Sequence, residues 1–335
     1  MNAELFHDDL ETVIRQKLSS DYRIKKLARL TAGASAATWL VEVEAQRANQ
    51  EFILRLEDGD EQFGTSVGKT IEAKTQAIAA NAGAPVAKVL HIFDQHPTLG
   101  NGYLMEKLEG ESLAPRILRQ PAFETARQTL TQQCAQALAT IHHITTEQLN
   151  FLPVQDAATQ LHSLYKIHKE FNEPLPVFRL VFRWLKDNIP SNPQPRLVHG
   201  DFRLGNFLVN ETGLNGVLDW ELTHLGDPME DLGWLCVRAW RFNHPENPVG
   251  GFGQRQQLYQ SYEQYSGHKV NPQQVRYWEL FGTLKWGVIC QYQASTFVNG
   301  KVRNVERAAI GRRVAETEFD MIHLLDAILK EQSCL

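Results

Sequence analysis

The stretch Leu197-Val-His-Gly-Asp-Phe-Arg-Leu-Gly-Asn-Phe-Leu-Val209, followed by Gly216-Val-Leu-Asp-Trp-Glu221, constrains this chain more than any other part of it. Apolar runs bracket a loop that carries Asp201 and Asn206 five residues apart, and Asp219 follows thirteen residues later at the end of Val217-Leu218. Apolar runs separated by Gly-containing loops read as short strands. One carboxamide and several carboxylates are thereby gathered around two strands. Glu221, two residues after Asp219, points to the same side if the strand continues.

A transferring phosphoryl group needs an acceptor for the attacking hydroxyl's proton, ligands for Mg²⁺ and a charge-neutralising clamp. The spacing His-x-Asp-x-x-x-x-Asn from His199 to Asn206 matches the kinase catalytic loop, in which a metal-binding Asp follows on a later strand. On His199-Gly-Asp-Phe-Arg-Leu-Gly-Asn206 and Leu218-Asp-Trp-Glu-Leu-Thr-His-Leu-Gly-Asp-Pro-Met-Glu-Asp-Leu-Gly-Trp234, the chain resembles the aminoglycoside phosphotransferase superfamily. These are protein-kinase-like small-molecule kinases, and the likeness is strongest to the branch found fused to acyl-CoA dehydrogenases. It runs from about Leu27 to about Leu325.

The resemblance implies an α+β, protein-kinase-like two-lobe fold, with a β-rich N-terminal lobe carrying one main helix and a mostly helical C-terminal lobe. It implies ATP and Mg²⁺ as cofactors and a small-molecule hydroxyl as phosphate acceptor. Asp201 is then the catalytic base, and Asn206 and Asp219 hold Mg²⁺, a hard cation that takes oxygen ligands. Glu221 orients a metal-bound water or a second ion. His199 reads as a buried prop of the loop, and Arg203 as a phosphate or substrate sensor or the partner of a neighbouring acid. Asp227 and Asp231, around Pro228, read as N-caps and loop braces.

The N-terminal part has strand signals at Lys26–Thr31, Thr38–Val43 and Phe52–Leu56, and two more strands at Ala87–Phe93 and Gly102–Met105. Between the first two, the small residues Gly33, Ala34 and Ser35 let backbone amides approach phosphates, although such a loop also simply closes a hairpin. Val67, Ile71 and Ile78 keep helical spacing until Gly83 and Pro85. Arg55 stands where kinases keep a strand lysine, and a forked pair with Glu72 is expected; Glu72 can also pair with Lys69 or Lys74. Tyr103-Leu-Met-Glu-Lys-Leu-Glu-Gly110 resembles the kinase hinge, in which the Glu106 carbonyl and Leu108 amide meet the adenine edge. Gly64-Thr-Ser-Val-Gly68-Lys69-Thr70 mimics a phosphate-binding P-loop but has three residues between its glycines instead of four, so it reads as a helix start.

From Pro121 the pattern turns helical, with Leu130, Cys134, Leu138 and Ile141 on one stripe; later helices are expected over Gln274–Tyr292 and Arg303–Leu329. Pro190–Pro195 and Asn243–Gly253 read as loops. The β-rich to helical change places a boundary near Leu108, giving a nucleotide-binding lobe over 1–108 and a catalytic, substrate-binding lobe over 109–335.

At 335 residues and 43% hydrophobic the chain can bury a sizeable core. Its four cysteines are far apart, implying neither a disulfide framework nor a zinc site. The N-terminus lacks the features of a leader, and no apolar run is long enough for a membrane span, so a cytoplasmic enzyme is expected. A net charge of −5 disfavours nucleic acid as a partner. The segment Asp231–Arg313 holds eleven Lys and Arg against five Asp and Glu, a local +6. The segment reads either as a solvated basic helical surface or, if it faces the acceptor, as a sign that the acceptor is an anion; the resemblance to the acyl-CoA-dehydrogenase-linked branch implies a hydroxy acid or hydroxyacyl-CoA. An aminoglycoside, amino-alcohol or sugar kinase is the alternative, and a nucleotide-binding pseudokinase or scaffold is the alternative of another class. The sequence leaves the oligomeric state open.

Overall fold

Alternation of apolar and polar residues builds the N-terminal sheet. The computed structural model describes residues 3–30, 36–45, 49–57, 64, 66–191, 194–301 and 304–333. Helix α1 (Ala3–Lys17) precedes β1 (Arg23–Leu30), β2 (Ala36–Glu44) and β3 (Gln50–Glu57); then come α2 (Lys69–Asn81), β4 (Val89–His96) and β5 (Gly100–Glu106). The strands form one antiparallel sheet in the order β1-β2-β3-β5-β4. On β3, Phe52, Leu54 and Leu56 are buried against Phe6, Leu10 and Ile14 of α1, while Ile53 faces the α2 side with Tyr103 and Met105. That period of two aims Arg55 at the α2 side. Helix α1 was not anticipated from the sequence, and it covers the sheet face that α2 leaves open. The loop Gly33-Ala34-Ser35 lies outside the described residues.

The remainder is mostly helical: α3 (Ala114–Arg119), α4 (Glu124–His142), α5 (Ala157–Glu170) and α6 (Pro176–Asp187) lead to β6 (Arg196–Val198), β7 (Phe207–Asn210), β8 (Gly213–Val217) and β9 (His224–Gly226). Helices α7 (Met229–Cys236), α8 (Arg255–Ser266), α9 (Pro272–Val298), α10 (Val305–Gly311) and α11 (Val314–Ser333) follow. Strands β6 and β9 pair, and β7 and β8 form a hairpin. The α4 stripe Leu130, Cys134, Leu138 and Ile141 is fully buried, as its spacing predicts. Asn271 caps α9 by accepting from the Gln273 and Gln274 amides, with Pro272 at the first helical position.

One expected helix is two. The Arg303–Leu329 pattern breaks after Gly311, where α10 meets α9 so closely that a Cβ on Gly311 would lie 2.6 Å from the Ala294 Cβ. Backbone bonds tie the two parts of the molecule together: the Val67 amide donates to the Glu221 carbonyl at 2.8 Å, and the Val217 amide to the Pro85 carbonyl at 2.8 Å. The buried cores on both sides of this junction hold β3, which carries Arg55, and the β7–β8 hairpin, two residues after which Asp219 stands. No helix among the described residues is long and apolar enough to cross a membrane.

Candidate functional site

The loop between β6 and β7 is held from beneath by Asp231 of α7. Its fully buried carboxylate accepts from the His199 amide at 2.8 Å and the Gly200 amide at 2.9 Å, and His142 Nε2 lies 3.1 Å away with Tyr262 behind it. Burial works to raise the pKa of Asp231, but the hydrogen bonds and charge of His142, with the His199 amide, bring it below the ordinary value. Gly200 has φ +82, and a Cβ there would lie 2.4 Å from the Leu222 carbonyl oxygen, so the turn needs glycine. Asp227 accepts from the Met229 amide at 2.9 Å. Both carboxylates are therefore braces, as the sequence suggests.

His199 is the expected prop. Its Nδ1 accepts from the Asp201 amide at 3.2 Å, which leaves Nε2–H to donate to the Leu218 carbonyl at 3.1 Å. Burial depresses its pKa against the pull of nearby carboxylates, so the neutral ring is favoured.

Asp201 then presents its carboxylate among three fixed groups. Oδ1 accepts from Arg203 Nε at 2.9 Å and Trp234 Nε1 at 2.7 Å, and Oδ2 from Asn206 Nδ2 at 2.6 Å. The Asn206 amide nitrogen also donates to the Asp201 carbonyl at 3.0 Å, while the Leu218 amide donates to the Asn206 carbonyl at 2.8 Å. The Arg203 guanidinium lies 4.4 Å over the Trp240 ring, so Arg203 is the partner of a neighbouring acid and is also stacked.

Asp219, at φ +68, turns toward the N-terminal sheet. Arg55 Nη2 donates to its Oδ1 at 2.8 Å, while Arg55 Nη1 stands 3.2 Å from Glu72 Oε1. Lys69, 1% exposed, places Nζ 2.6 Å from Glu72 Oε2 and 3.4 Å from Glu221 Oε2, and the Tyr103 hydroxyl donates to Glu72 Oε1 at 2.7 Å. The expected Arg55–Glu72 pair and its rival Lys69–Glu72 pair therefore coexist. Burial would raise the pKa of Asp219, but Arg55, Lys69 and Arg203 hold it below the ordinary carboxylate value. Arg55 Nε is buried with no hydrogen-bond partner among the described residues.

Glu106 closes β5 with its side chain exposed, and Leu108 packs beside Gly216 of β8, where a Cβ would stand 2.8 Å from its Cδ1. Sequence reasoning missed Trp234 and undervalued Lys69, whose spacing of three from Glu72 at a helix start was the available signal. Part of the basic segment is paired internally: Arg241, Arg255 and Arg276 converge on the buried Glu279, at 2.8, 2.6 and 3.1 Å. A cleft of about 560 Å³ between α2 and α4, lined by Ile78, Gln136, Thr140 and His143 among others, holds no carboxylate, so charge and not volume marks the site. Among the described residues no group of three or more His, Cys, Asp or Glu is arranged to hold a metal alone. Mg²⁺ seldom needs one, because phosphate oxygens and waters complete its shell.

A five-stranded antiparallel sheet over a helical body, with Asp, Asn and Asp at the junction, is the architecture of the kinase-like small-molecule phosphotransferases. The chain belongs to the phosphotransferase enzyme family, whose model matches residues 26–268. Acyl-CoA dehydrogenase family member 10 of Mus musculus is 26% identical over 226 residues, covering 63% of this chain and 20% of that protein. The chain thus spans about a fifth of the length of that curated relative. A putative aminoglycoside phosphotransferase from Ralstonia eutropha JMP134 superposes with TM-score 0.73 at 21% identity, covering 96% of this chain and 98% of that one. A choline kinase from Cryptosporidium parvum superposes with TM-score 0.63 at 12% identity, covering 97% and 98%. The likeness read from His199–Asn206 and Leu218–Trp234 is borne out in both its family and its fold.

Proposed function

We propose that this protein is an ATP- and Mg²⁺-dependent phosphotransferase acting on the hydroxyl of a small molecule, a hydroxy acid or hydroxyacyl thioester. The observation that carries this reading is the meeting of Asp201, Asn206, Asp219 and Arg55 at one junction. Arg55 Nη2 lies 2.8 Å from Asp219, and Asn206 Nδ2 lies 2.6 Å from Asp201. The orphaned, buried Arg55 Nε fits a phosphate oxygen, since a buried donor without an acceptor is costly and a bound nucleotide would supply one.

ATP brings the γ-phosphoryl group, and Mg²⁺ neutralises the charge upon it. The protein's own groups position and receive. Asp201, fixed by Trp234, Arg203 and Asn206, orients the acceptor hydroxyl and takes its proton. Asn206 donates through its nitrogen to Asp201, which leaves its carbonyl oxygen, together with Asp219, to hold the metal. Arg55 clamps phosphate, backed by Glu72. The Glu106 carbonyl and Leu108 amide would meet the adenine edge, and the small-residue sequence Gly33-Ala34-Ser35 suits phosphate binding. Residues 1–108 would then serve the nucleotide and 109–335 the acceptor, in a cytoplasmic setting.

Thermal unfolding of wild type and Asp219→Ala with ATP or GTP, each with and without Mg²⁺, tests the nucleotide half, because a ligand specific to the folded state raises the midpoint. A Mg²⁺-dependent rise in wild type that vanishes in the variant is expected. No rise with either nucleotide would instead indicate a scaffold without turnover. Phosphate transfer confined to aminoglycosides, in a panel that includes hydroxy acids, hydroxyacyl-CoAs and choline, would overturn the acceptor class.

A further inference from the structure

Most cations of the basic segment are already answered by carboxylates. Arg241, Arg255 and Arg276 share Glu279, Arg238 stands 3.2 Å from Asp320, Arg313 2.9 Å from Glu316 and Lys269 2.9 Å from Glu263. Lys285 of α9 is different. It is half-buried, and its Nζ stands 5.0 Å over the ring of Trp234, with no carboxylate partner among the described residues. Glu230 Oε2 is engaged by Gln160 at 2.6 Å and by the cleft-lining His224 at 3.1 Å. A half-buried ammonium lacking a counter-charge retains much of its desolvation cost, which an incoming anion would relieve.

The same lysine lines a cleft whose other walls include Leu164, Ile167, Leu222 and Phe281. Lys285 relates this cleft to the junction, for the Trp234 ring beneath its ammonium donates its Nε1–H to Asp201 Oδ1 at 2.7 Å. The cation and the Asp201 carboxylate thus share one indole, and the cation also belongs to the apolar-walled cleft. Resting on the proposed phosphotransfer, we propose that Lys285 is the anion-recognition residue of the acceptor site, pairing with the carboxylate of an aliphatic hydroxy acid. The hydrocarbon chain lies against Leu164, Ile167, Leu222 and Phe281 while the hydroxyl reaches Asp201. Since an indole separates the ammonium from Asp201, the acceptor's hydroxyl and carboxylate are several carbons apart and not on adjacent atoms. A polycationic acceptor would meet Lys285 as a like charge.

Calorimetric binding tests this without requiring turnover. The probes are a straight-chain hydroxyhexanoate, its neutral amide and its CoA thioester, each titrated into the full chain with Mg²⁺ and a non-hydrolysable ATP analogue. Wild type should bind the acid at least about tenfold more tightly than the amide, as expected for one charge-assisted contact. Lys285→Met should remove that preference and Lys285→Arg restore most of it, with amide binding and the nucleotide-induced rise in melting temperature unchanged in both. Equal affinity of wild type for acid and amide, an unaltered preference in Lys285→Met, or a Lys285→Met effect confined to the thioester would each overturn the proposal. A Lys285-dependent preference with no transfer to any hydroxyl would leave the subsite standing and remove the phosphotransfer reading instead.

Discussion

Two fully buried glutamates, Glu72 and Glu279, each gather several cations, and they do different work. Glu72 holds Arg55 and Lys69, which reach on to Asp219 and Glu221. Glu279 holds Arg241, Arg255 and Arg276, of which Arg241 also donates to the Cys236 carbonyl and Arg276 pairs with the exposed Glu331. The first cluster has two cations and three carboxylates, an excess of negative charge suited to a divalent ion. The second has three arginines against Glu279 and Glu331 and ties α9 to the segment after α7 and to α8 and α11. A buried glutamate ringed by cations is therefore not itself a sign of function; what its cations touch next decides.

The sharpest way to break this distinction is chemical. Asp201→Asn should reduce turnover by about 10²–10⁴-fold, the usual worth of a positioned proton acceptor, with the fold retained. Steady-state phosphate transfer under saturating nucleotide checks it, and a variant within tenfold of wild type would remove Asp201 from its role. Glu279→Gln should leave per-molecule turnover near wild type.

Stability should reverse the ranking. Removing one partner of a buried charge cluster typically costs about 3–5 kcal/mol, so Glu279→Gln should lower the urea midpoint strongly while its Mg²⁺-nucleotide shift persists. Glu72→Gln should lose stability and the nucleotide shift together, because Arg55 is then drawn wholly to Asp219. Identical behaviour of the two variants would dissolve the contrast. A smaller effect is expected of Lys69→Met, which keeps the buried stem but strips Glu72 and Glu221 of a donor, at about 1–3 kcal/mol. Its apparent affinity for nucleotide should fall, with Arg55 still in place.

How much of this was legible follows from sequence separation. His199, Asp201 and Asn206 share one loop, so spacing alone specifies them, and Asp219 sits a hairpin away. Arg55 to Glu72 was readable by likeness to kinases. Lys69 to Glu221 spans 152 positions, Trp234 to Asp201 33, and Arg241 to Glu279 38, and periodicity carries no information on pairs brought together by packing. The net charge of Asp231–Arg313 was correct as a sum but does not read directly as a surface, because Arg241, Arg255 and Arg276 are drawn inward to Glu279. Helix α1 was missed because the first residues were read only for targeting signals, although Phe6, Leu10 and Ile14 already keep helical spacing.

The smallest expected effect lies in the pH dependence of stability, set by two buried histidines of opposite tendency. Burial acts to lower the pKa of His224, but Glu230 at 3.1 Å overcomes it and the value rises above the ordinary one. Its contribution is therefore complete below the unfolded value of about 6.5 and lost as pH rises through the folded value. His199, depressed by burial, acts in reverse: its contribution is present above about 6.5 and lost as pH falls toward its folded value. Together they favour a stability maximum near neutrality, a tenfold change in a ring's proton affinity on folding being worth about 1.4 kcal/mol. Urea unfolding between about pH 5.5 and 8.5, which brackets the ordinary histidine value, should show both limbs. In Glu230→Gln the decline on the alkaline side should flatten while the acid limb, which does not depend on Glu230, persists. An alkaline limb unchanged in that variant would show that the His224–Glu230 pair is not its source.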